Sequence, residues 1–243
     1  MKTALLSVTF RKMGIAEIAA LAAKGGVDAI EWGSDVHVKA GDMEAANLAV
    51  SACREHGLSI SAYGSYYRCG DEDFAPYLET AKHLGVSLIR VWAGNIESSE
   101  TLPEEERMAI TEKLRAAVKL AEGTGITIAT EYHPNTLTDT LESAQRLLSD
   151  VPGLYTYWQV NNSLTVEENL AEIDALQDKI VNAHAFYFED GVRLPFSRGK
   201  AAWEKYLAKL NKTQCASVGL EFVLGGTAEQ FIEDAKALKE LIK

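Results

Sequence analysis

Residues 104–133, EEERMAITEKLRAAVKLAEGTGITIATEYH, contain one helix followed by one strand. The first part, 104–122, is rich in Ala, Leu, Glu and Lys and has the apolar spacing of an amphipathic helix. Gly123 and Gly125 are typical of a helix C-cap that leads into a short loop. The run 127–133, TIATEYH, combines β-branched and aromatic residues, as buried strands do. This segment therefore predicts one helix–strand unit.

The same unit recurs along the whole chain. The predicted strands are 4–10, 27–33, 59–65, 88–94, 127–133, 155–160, 180–186 and 218–223. The predicted helices are 15–24, 43–56, 74–84, 104–122, 138–149, 165–176, 200–210 and 227–242. Strict alternation of strand and helix requires a parallel sheet with right-handed crossovers, and eight repeats favour closure into a barrel.

We therefore predict the α/β class and a single (β/α)8 TIM barrel. No linker, low-complexity segment or change of composition divides the chain, so residues 1–243 are assigned to one domain. The alternative is an open, doubly wound sheet, but no G-x-G-x-x-G motif follows the first strand.

Composition and charge exclude several classes of partner. The formal net charge of -11 and the pI of about 5.0 disfavour nucleic acid and anionic lipid as partners. No run of about 18 apolar residues is present, and we expect no membrane association. We interpret the first ten residues as a strand rather than a signal peptide. The three cysteines are far apart and show neither disulfide nor metal spacing, which indicates a reducing compartment, by default the cytoplasm.

Polar side chains stand near the C-terminal ends of most predicted strands, where a barrel core should be apolar. They are Glu31, Tyr63, Arg90, Glu131, His133, Gln159, His184 and Glu221. Because side chains alternate along a strand, Glu131 and His133 share one face. The same alternation turns His184 and Glu221 inward, while Phe222 is expected to face the helices. Barrel enzymes keep catalytic groups at these strand ends, and the three inward Glu residues need a divalent cation, arginine partners or both.

Some of these residues also have structural interpretations. Glu31 is as readily explained by an ion pair with Arg90 as by substrate binding. Trp92 suits either packing or a wall on which a sugar stacks. His37 and His133 lie just beyond strand ends and are expected to line the pocket. Arg68, Arg90 and Arg193 are candidates to bind substrate oxygens, a carboxylate or a phosphate, with surface ion pairing as the alternative for Arg193.

The motifs TEYH (130–133), NAHAF (182–186) and GLEFV (219–223) resemble the sugar phosphate isomerase/epimerase superfamily. These are xylose-isomerase-like barrels that include tagatose 3-epimerase and hydroxypyruvate isomerase. The resemblance extends over essentially the whole chain. It implies that one divalent metal ion, Mn²⁺, Mg²⁺, Co²⁺ or Zn²⁺, binds Glu131, His184 and Glu221.

The sixth strand departs from the pattern of the superfamily. Its members commonly carry an Asp there and a His three residues later, whereas this chain has Gln159 and Asn162. A Gln oxygen can bind a hard cation but adds no charge, so we predict that Gln159 is a ligand of a weakly bound metal. Asn162 is expected to contact the substrate.

The resemblance implies an isomerase or epimerase that acts on a small-molecule carbohydrate. Glu131 and Glu221 would remove and return a proton next to a carbonyl group, through an enediolate. Two alternatives stay open: a metal-dependent lyase or dehydratase, and a barrel that binds a carbohydrate without turning it over. A nuclease is disfavoured by the net charge and by the ligand set. Many members of the superfamily form dimers or tetramers, so a homo-oligomer is compatible with the resemblance.

Overall fold

A computed structural model describes residues 1–242 and contains eight long helices and ten strands. The strands are β1 (Lys2–Leu6), β2 (Ala29–Gly33), β3 (Ser59–Gly64), β4 (Leu88–Val91), β5 (Thr127–Thr130), β6 (Tyr155–Gln159), β7 (Ile180–Ala185), β8 (Phe188–Glu189), β9 (Val192–Arg193) and β10 (Ser217–Leu220). The α-helices are α1 (Ile15–Gly25), α2 (Met43–Glu55), α3 (Ala75–Leu84), α4 (Glu104–Ala121), α5 (Leu141–Asp150), α6 (Val166–Ala175), α7 (Lys200–Leu210) and α8 (Ala228–Leu241). Three short 3-10 helices cover Ser7–Phe10, Phe196–Gly199 and Leu224–Gly226.

Eight of the strands form a closed parallel barrel. Their order around it is β1-β10-β7-β6-β5-β4-β3-β2, and β10 is the eighth barrel strand. Every barrel strand corresponds to a predicted run, and every long helix to a predicted helix. The prediction of a single (β/α)8 TIM barrel is therefore confirmed.

The antiparallel pair β8–β9 was not predicted. It is a two-residue hairpin between β7 and α7 in which Phe188 pairs with Arg193 and Glu189 with Val192. The turn residues Asp190 and Gly191 both have positive φ, 50° and 74°. This backbone is that of the type I′ turn, for which Asp-Gly is a preferred dipeptide.

Local capping residues define where several helices begin. Thr165 accepts the backbone N–H of Glu168, and the Glu168 carboxylate accepts the N–H of Thr165 in return. Thr227 caps α8 by accepting the N–H of Gln230. Both threonines satisfy amide groups that lack partners inside the helix.

No helix within residues 1–242 is long and apolar enough to cross a membrane.

Because side chains alternate along a strand, the fold has two buried regions: one between the strands and the helices, and one inside the barrel. Trp158 of β6 points outward and packs on Trp203 and Tyr206 of α7, with ring centroids 6.0 and 5.2 Å away. The preceding Tyr157 points into the barrel, where it forms an apolar layer together with Ala62, Leu88 and Ala129. One step further along the strands, towards their C-terminal ends, the inward positions become polar. The candidate site lies in this polar layer.

Candidate active site

Five ionisable side chains occupy the polar layer of the barrel. Glu31, Arg90 and His184 lie within β2, β4 and β7, and each is at most 3% exposed. Glu131 and Glu221 follow the last residues of β5 and β10. Their backbone N–H groups still donate to Val91 and Ala185, at 2.9 and 3.0 Å, so each extends the strand ladder by one hydrogen bond. These hydrogen bonds therefore fix the backbone positions of Glu131 and Glu221.

Arg90 joins two of the three carboxylates. Its Nη1 forms an ion pair with Oε2 of Glu131, and its Nε lies 3.4 Å from Oε1 of Glu31. Burial lowers the pKa of Arg90, but the charges of Glu131 and Glu31 outweigh burial and raise it. For Glu131, burial raises the pKa, yet Arg90 and His184 together lower it to about 2. Arg90 and Glu131 are therefore both held in their charged forms.

Glu31 is held from three sides inside the barrel. Tyr157 donates its hydroxyl to Oε2 of Glu31 at 3.2 Å, and the Asn182 amide donates to the same oxygen at 3.4 Å. Gly64 permits the approach of Glu31 to Arg90. A Cβ atom at Gly64 would stand 2.8 Å from Glu31 Oε1 and 3.0 Å from Arg90 Nη2. The ion pair of Glu31 and Arg90, one of the two interpretations of Glu31, is present.

His184 lies at the centre of the carboxylates. Its Nδ1 is 3.3 Å from Oε1 of Glu131 and 3.5 Å from Oε2 of Glu221, and its Nε2 is 3.7 Å from Oε1 of Glu31. Burial lowers the pKa of His184, whereas Glu131 and Glu31 raise it to about 10. Burial also raises the pKa of Glu221, to about 7. Without a cation, the site thus shares protons between an imidazole and a carboxyl group.

The donor atoms fit a divalent metal ion. One ligand atom each from Glu131, His184 and Glu221 lies within 4.8 Å of the other two. Buried Oε2 of Glu221 and Nδ1 of His184 have no hydrogen-bond partner among the described residues. The three carboxylates and Arg90 leave two negative charges when His184 is neutral, which a divalent cation would balance. Oxygen and imidazole donors suit Mg²⁺, Mn²⁺, Co²⁺ or Zn²⁺.

Gln159 adds a fourth donor atom to this region. It is the last residue of β6, it pairs in register with His184, and it is 8% exposed. Its Oε1 is buried and has no hydrogen-bond partner within residues 1–242. An unpartnered buried oxygen is costly. The environment of Gln159 therefore fits a bound cation or a ligand donor group.

Two neighbouring cavities open above the polar layer. We call the first the arginine lobe; it measures about 460 Å³ and includes Arg11, Arg68, Arg90, Arg193, Glu131 and Glu221. We call the second the aromatic lobe; it measures about 340 Å³ and includes Gln159, Asn161, Asn162, Phe186, Phe188 and Phe222. His133 and Phe222 line both lobes. Each lobe lies in the size range of small-molecule sites.

Trp92 belongs to a stacked wall of the arginine lobe. The Arg68 guanidinium lies 3.8 Å from the centroid of the Trp92 ring, and the His133 ring lies 4.2 Å from it on centroids. Tyr66 stacks on Trp92 at 6.0 Å. The predicted residues Arg68, Trp92 and His133 thus lie together on one cavity wall.

Three residues predicted to bind substrate do not line either lobe. Tyr63 points towards the helices and donates its hydroxyl to the Val38 carbonyl at 2.8 Å, because the neighbouring Ala62 takes the inward position. The ring nitrogens of His37 contact Ser7 Oγ at 3.1 Å and the Met13 carbonyl at 3.2 Å. Glu31 lies below the arginine lobe, in its pair with Arg90. The role of these three residues in binding substrate stays a prediction. Asn162 is exposed at the rim of the aromatic lobe.

Three aromatic residues on the far side of the cavities were not predicted from the sequence. Phe222, expected among the helices, is 37% exposed and forms the ridge between the lobes. Its φ of 52° is unusual for an aromatic residue and swings the ring away from strand alternation. Phe186 and Phe188 pack edge to face on it, at 5.2 and 6.0 Å. The Asp190-Gly191 dipeptide could have revealed the hairpin that carries Phe188; no sequence signal indicates the backbone of Phe222.

Comparison with known proteins agrees with this geometry at the level of the fold. A sequence profile of the xylose isomerase-like TIM barrel family matches residues 19–241. A 3-dehydroshikimate dehydratase of Bacillus anthracis is 27% identical over 163 residues, which is 62% of this chain and 58% of that protein. The chain thus aligns with less than two thirds of that relative.

Solved structures extend the likeness to the full length. A probable 3-DHS dehydratase involved in petrobactin synthesis in Bacillus anthracis superposes with a TM-score of 0.82 at 20% identity, covering 98% of this chain and 99% of that one. A 3-keto-D-glucoside 4-epimerase of E. coli gives 0.73 at 17% identity, covering 99% and 98%. At these identities the likeness establishes the barrel, while the reaction has to be argued from the site.

Proposed function

Because this chain belongs to the xylose isomerase-like TIM barrel family, we propose that it is an isomerase or epimerase of a sugar or sugar derivative. The reaction would move a proton at the carbon next to a carbonyl group. The observation that carries the proposal is the convergence of Glu131, His184 and Glu221 under an open cavity. Nδ1 of His184 lies 3.3 and 3.5 Å from the two carboxylates, and neither this atom nor Oε2 of Glu221 forms a hydrogen bond within residues 1–242. Unpartnered buried charges are costly unless a ligand or cation completes them.

One divalent metal ion would be held by Glu131, His184, Glu221 and the Gln159 oxygen. Such an ion supplies a Lewis acid at the substrate carbonyl. Gln159 stands where the resembled superfamily carries a carboxylate, so the ligand set has one negative charge fewer. We therefore expect the ion to bind more weakly than in members of the superfamily whose four ligands are two Glu, one Asp and one His.

The two carboxylates have different environments, which suits different roles. Glu131 is fixed by its ion pair with Arg90, whereas Oε2 of Glu221 forms no hydrogen bond within residues 1–242 and contacts His184 Nδ1 at 3.5 Å. Glu221 would remove the proton from the carbon. The electron pair of that C–H bond would form a carbon–carbon double bond, while the π electron pair of the carbonyl group moves onto its oxygen. Return of the proton to the former carbonyl carbon, with transfer of the hydroxyl proton between the two oxygens, gives isomerisation; return to the original carbon from the opposite face gives epimerisation.

The placement of the carboxylates supports two-sided proton transfer. Glu131 and Glu221 follow β5 and β10, which β6 and β7 separate in the barrel. They therefore approach a substrate above His184 from two directions. Epimerisation needs a proton from the second side, where Glu131 lies. Because Arg90 holds Glu131 ionised, Glu131 would relay that proton from solvent rather than carry it beforehand.

A dehydratase is the second candidate, favoured by the 27% identity to the Bacillus anthracis 3-dehydroshikimate dehydratase. Loss of water begins with the same proton removal, after which a hydroxyl group leaves the next carbon with a proton from an acid. Incubation with 3-dehydroshikimate distinguishes the candidates. Loss of water lowers the mass of the substrate by one water molecule, which mass spectrometry detects, whereas isomerisation and epimerisation conserve the mass.

Solvent deuterium exchange tests the proposed function directly. Protein loaded with Mn²⁺ or Mg²⁺ is incubated in D₂O with a panel of ketoses and aldoses, and deuterium next to the carbonyl is measured by NMR. We expect exchange with the unaltered protein and with Glu204→Gln, an exposed control on α7. Glu221→Gln should lower the exchange rate about 100- to 10,000-fold. Exchange that is equal in all three proteins would contradict the role of Glu221, and no exchange with any substrate would contradict the proposal.

A further inference from the structure

Four of the chain's nine arginines line one cavity, in a protein with a net charge of -11. They are Arg11, Arg68, Arg90 and Arg193, and together they define the arginine lobe. Clustering four cations in one cleft does not increase the solubility of an acidic protein. A cleft lined with cations raises the local concentration of anions.

Two of these arginines already have carboxylate partners. Arg90 is paired with Glu31 and Glu131, and Arg11 is paired with Asp35. Arg68 and Arg193 form no ion pair within residues 1–242. The arginine lobe therefore contains two uncompensated guanidinium groups.

Arg68 is held in place by contacts other than charge. Its guanidinium lies 3.8 Å from the Trp92 ring centroid, and its Nη1 donates to Oδ1 of Asn95 at 3.1 Å. The nearby Glu72 carboxylate accepts the backbone N–H of Arg68 instead of pairing with the guanidinium. A stacked guanidinium with free N–H groups is organised in advance to bind an oxyanion.

Arg193 is held in a similar way on the opposite side of the mouth. Its guanidinium lies 5.2 Å from the Phe222 ring and 5.6 Å from the Phe188 ring. Its only hydrogen bond among the described residues is a long one, 3.5 Å, to the Val223 carbonyl. Arg68 follows β3 and Arg193 belongs to the hairpin after β7. These strands lie on opposite sides of the barrel, and both arginines line the cavity that Glu131 and Glu221 also line.

We propose that the substrate is anionic and carries a carboxylate or phosphate group, which Arg68 and Arg193 bind at the mouth of the arginine lobe. The proposed function supplies the position of the reacting carbon below this group, and the inference rests on it in that respect. Arg68 and Arg193 thereby become specificity-determining residues: they select acidic sugar derivatives over neutral sugars. Both anions share the geometry of oxygen atoms that arginine binds with two N–H groups.

Matched ligand pairs test the inference through binding alone. Calorimetry at low salt compares D-fructose with D-fructose 6-phosphate, and D-glucose with D-glucuronate. We expect the anionic member of at least one pair to bind about tenfold or more tightly than its neutral partner. The pair that shows the difference tells phosphate from carboxylate. Added salt should reduce the difference.

Three variants locate the anion. Arg68→Gln and Arg193→Gln should each weaken binding of the anionic member about tenfold and leave its neutral partner unchanged. Arg198→Gln makes the same charge change on an exposed residue near Arg193 that lines neither lobe, and it should bind like the unaltered protein. If no anionic compound binds more tightly than its neutral partner, or if Arg198→Gln matches the other two variants, the inference is wrong.

The outcome is separate from that of the proposed function. Deuterium exchange with neutral sugars alone would sustain proton transfer and overturn the anionic substrate. Arginine-dependent binding without any exchange would sustain the anion site and overturn the isomerase or epimerase.

Discussion

Two sides of the same polar layer differ in how their charges are satisfied. On the side of β2 and β4, Glu31 and Arg90 have partners: each other, Tyr157, Asn182 and Glu131. We call this the paired side. On the side of β6 and β10, buried Oε1 of Gln159 has no hydrogen-bond partner within residues 1–242, and the contact of Oε2 of Glu221 is the 3.5 Å one to Nδ1 of His184. We call this the open side. The paired side has the features of structural support, and the open side has the features of a place for a ligand.

The largest expected effect on stability tests the paired side. Arg90→Met leaves Glu31 and Glu131 as buried carboxylates without their cation, and should lower the free energy of unfolding by about 3–5 kcal/mol. Denaturant titration measures it. The control is Lys82→Met, which removes an exposed ion pair with Glu79 and should cost at most about 1 kcal/mol. Equal losses in the two variants would show that the paired side is not structural support.

Glu221→Gln tests the open side by the same measurement. The substitution removes a buried charge that forms no hydrogen bond at Oε2 and contacts His184 there only at 3.5 Å, so the metal-free protein should lose less than about 1 kcal/mol of stability, or gain some. A loss comparable to that of Arg90→Met would contradict the distinction between the two sides. Stability and catalysis therefore separate: one side should control unfolding and the other proton exchange.

Gly64→Ala should disturb the paired side to a smaller degree. Its Cβ atom would stand 2.8 Å from Glu31 Oε1, and the resulting overpacking should cost about 1–3 kcal/mol. A double-mutant cycle with Glu31→Gln identifies the cause, because a collision at Glu31 requires the two effects to be non-additive. Strictly additive losses would place the strain elsewhere.

A small, local effect is predicted for the hairpin above the open side. Gly191 has a φ of 74°, and no atom lies within 4 Å of the position that a Cβ atom would take, so Gly191→Ala acts through backbone strain alone. We expect a loss of about 1 kcal/mol. Asp190→Gly is the control, since glycine also accepts positive φ, and it should cost less. Thermal unfolding of the two variants compares them, and a larger loss for Asp190→Gly would contradict the type I′ assignment.

The sequence predicts the fold and the residues that meet in the polar layer. Periodicity and Gly caps identify all eight strand–helix units, because each unit repeats the same local physics. Alternation correctly turns His184 inward with Ala183 and Ala185 outward, and it brings Glu131, His184 and Glu221 to one layer. Their function as ligands and catalysts stays a prediction.

Strand alternation does not predict the directions of the Tyr63 and Phe222 side chains. The run SISAYGS is ambiguous, since Ala62 and Tyr63 can each be buried on either face; packing assigns the small residue to the barrel interior. Phe222 lies two residues past the end of β10, so its direction is set by a left-handed backbone rather than by the pleat. The charge environment of Arg68 and Arg193 depends on which carboxylates lie nearby in space, which spacing along the chain does not reveal.

The metal content of the purified protein tests the central claim most directly. Protein prepared without chelator is analysed by elemental mass spectrometry, together with Glu131→Gln, Glu221→Gln and the exposed control Glu204→Gln. We predict about one equivalent of a divalent metal ion in the unaltered protein and in Glu204→Gln, and clearly less in the two site variants. Equal metal in all four proteins, or none in any, would contradict the assignment of Glu131 and Glu221 as ligands of one cation.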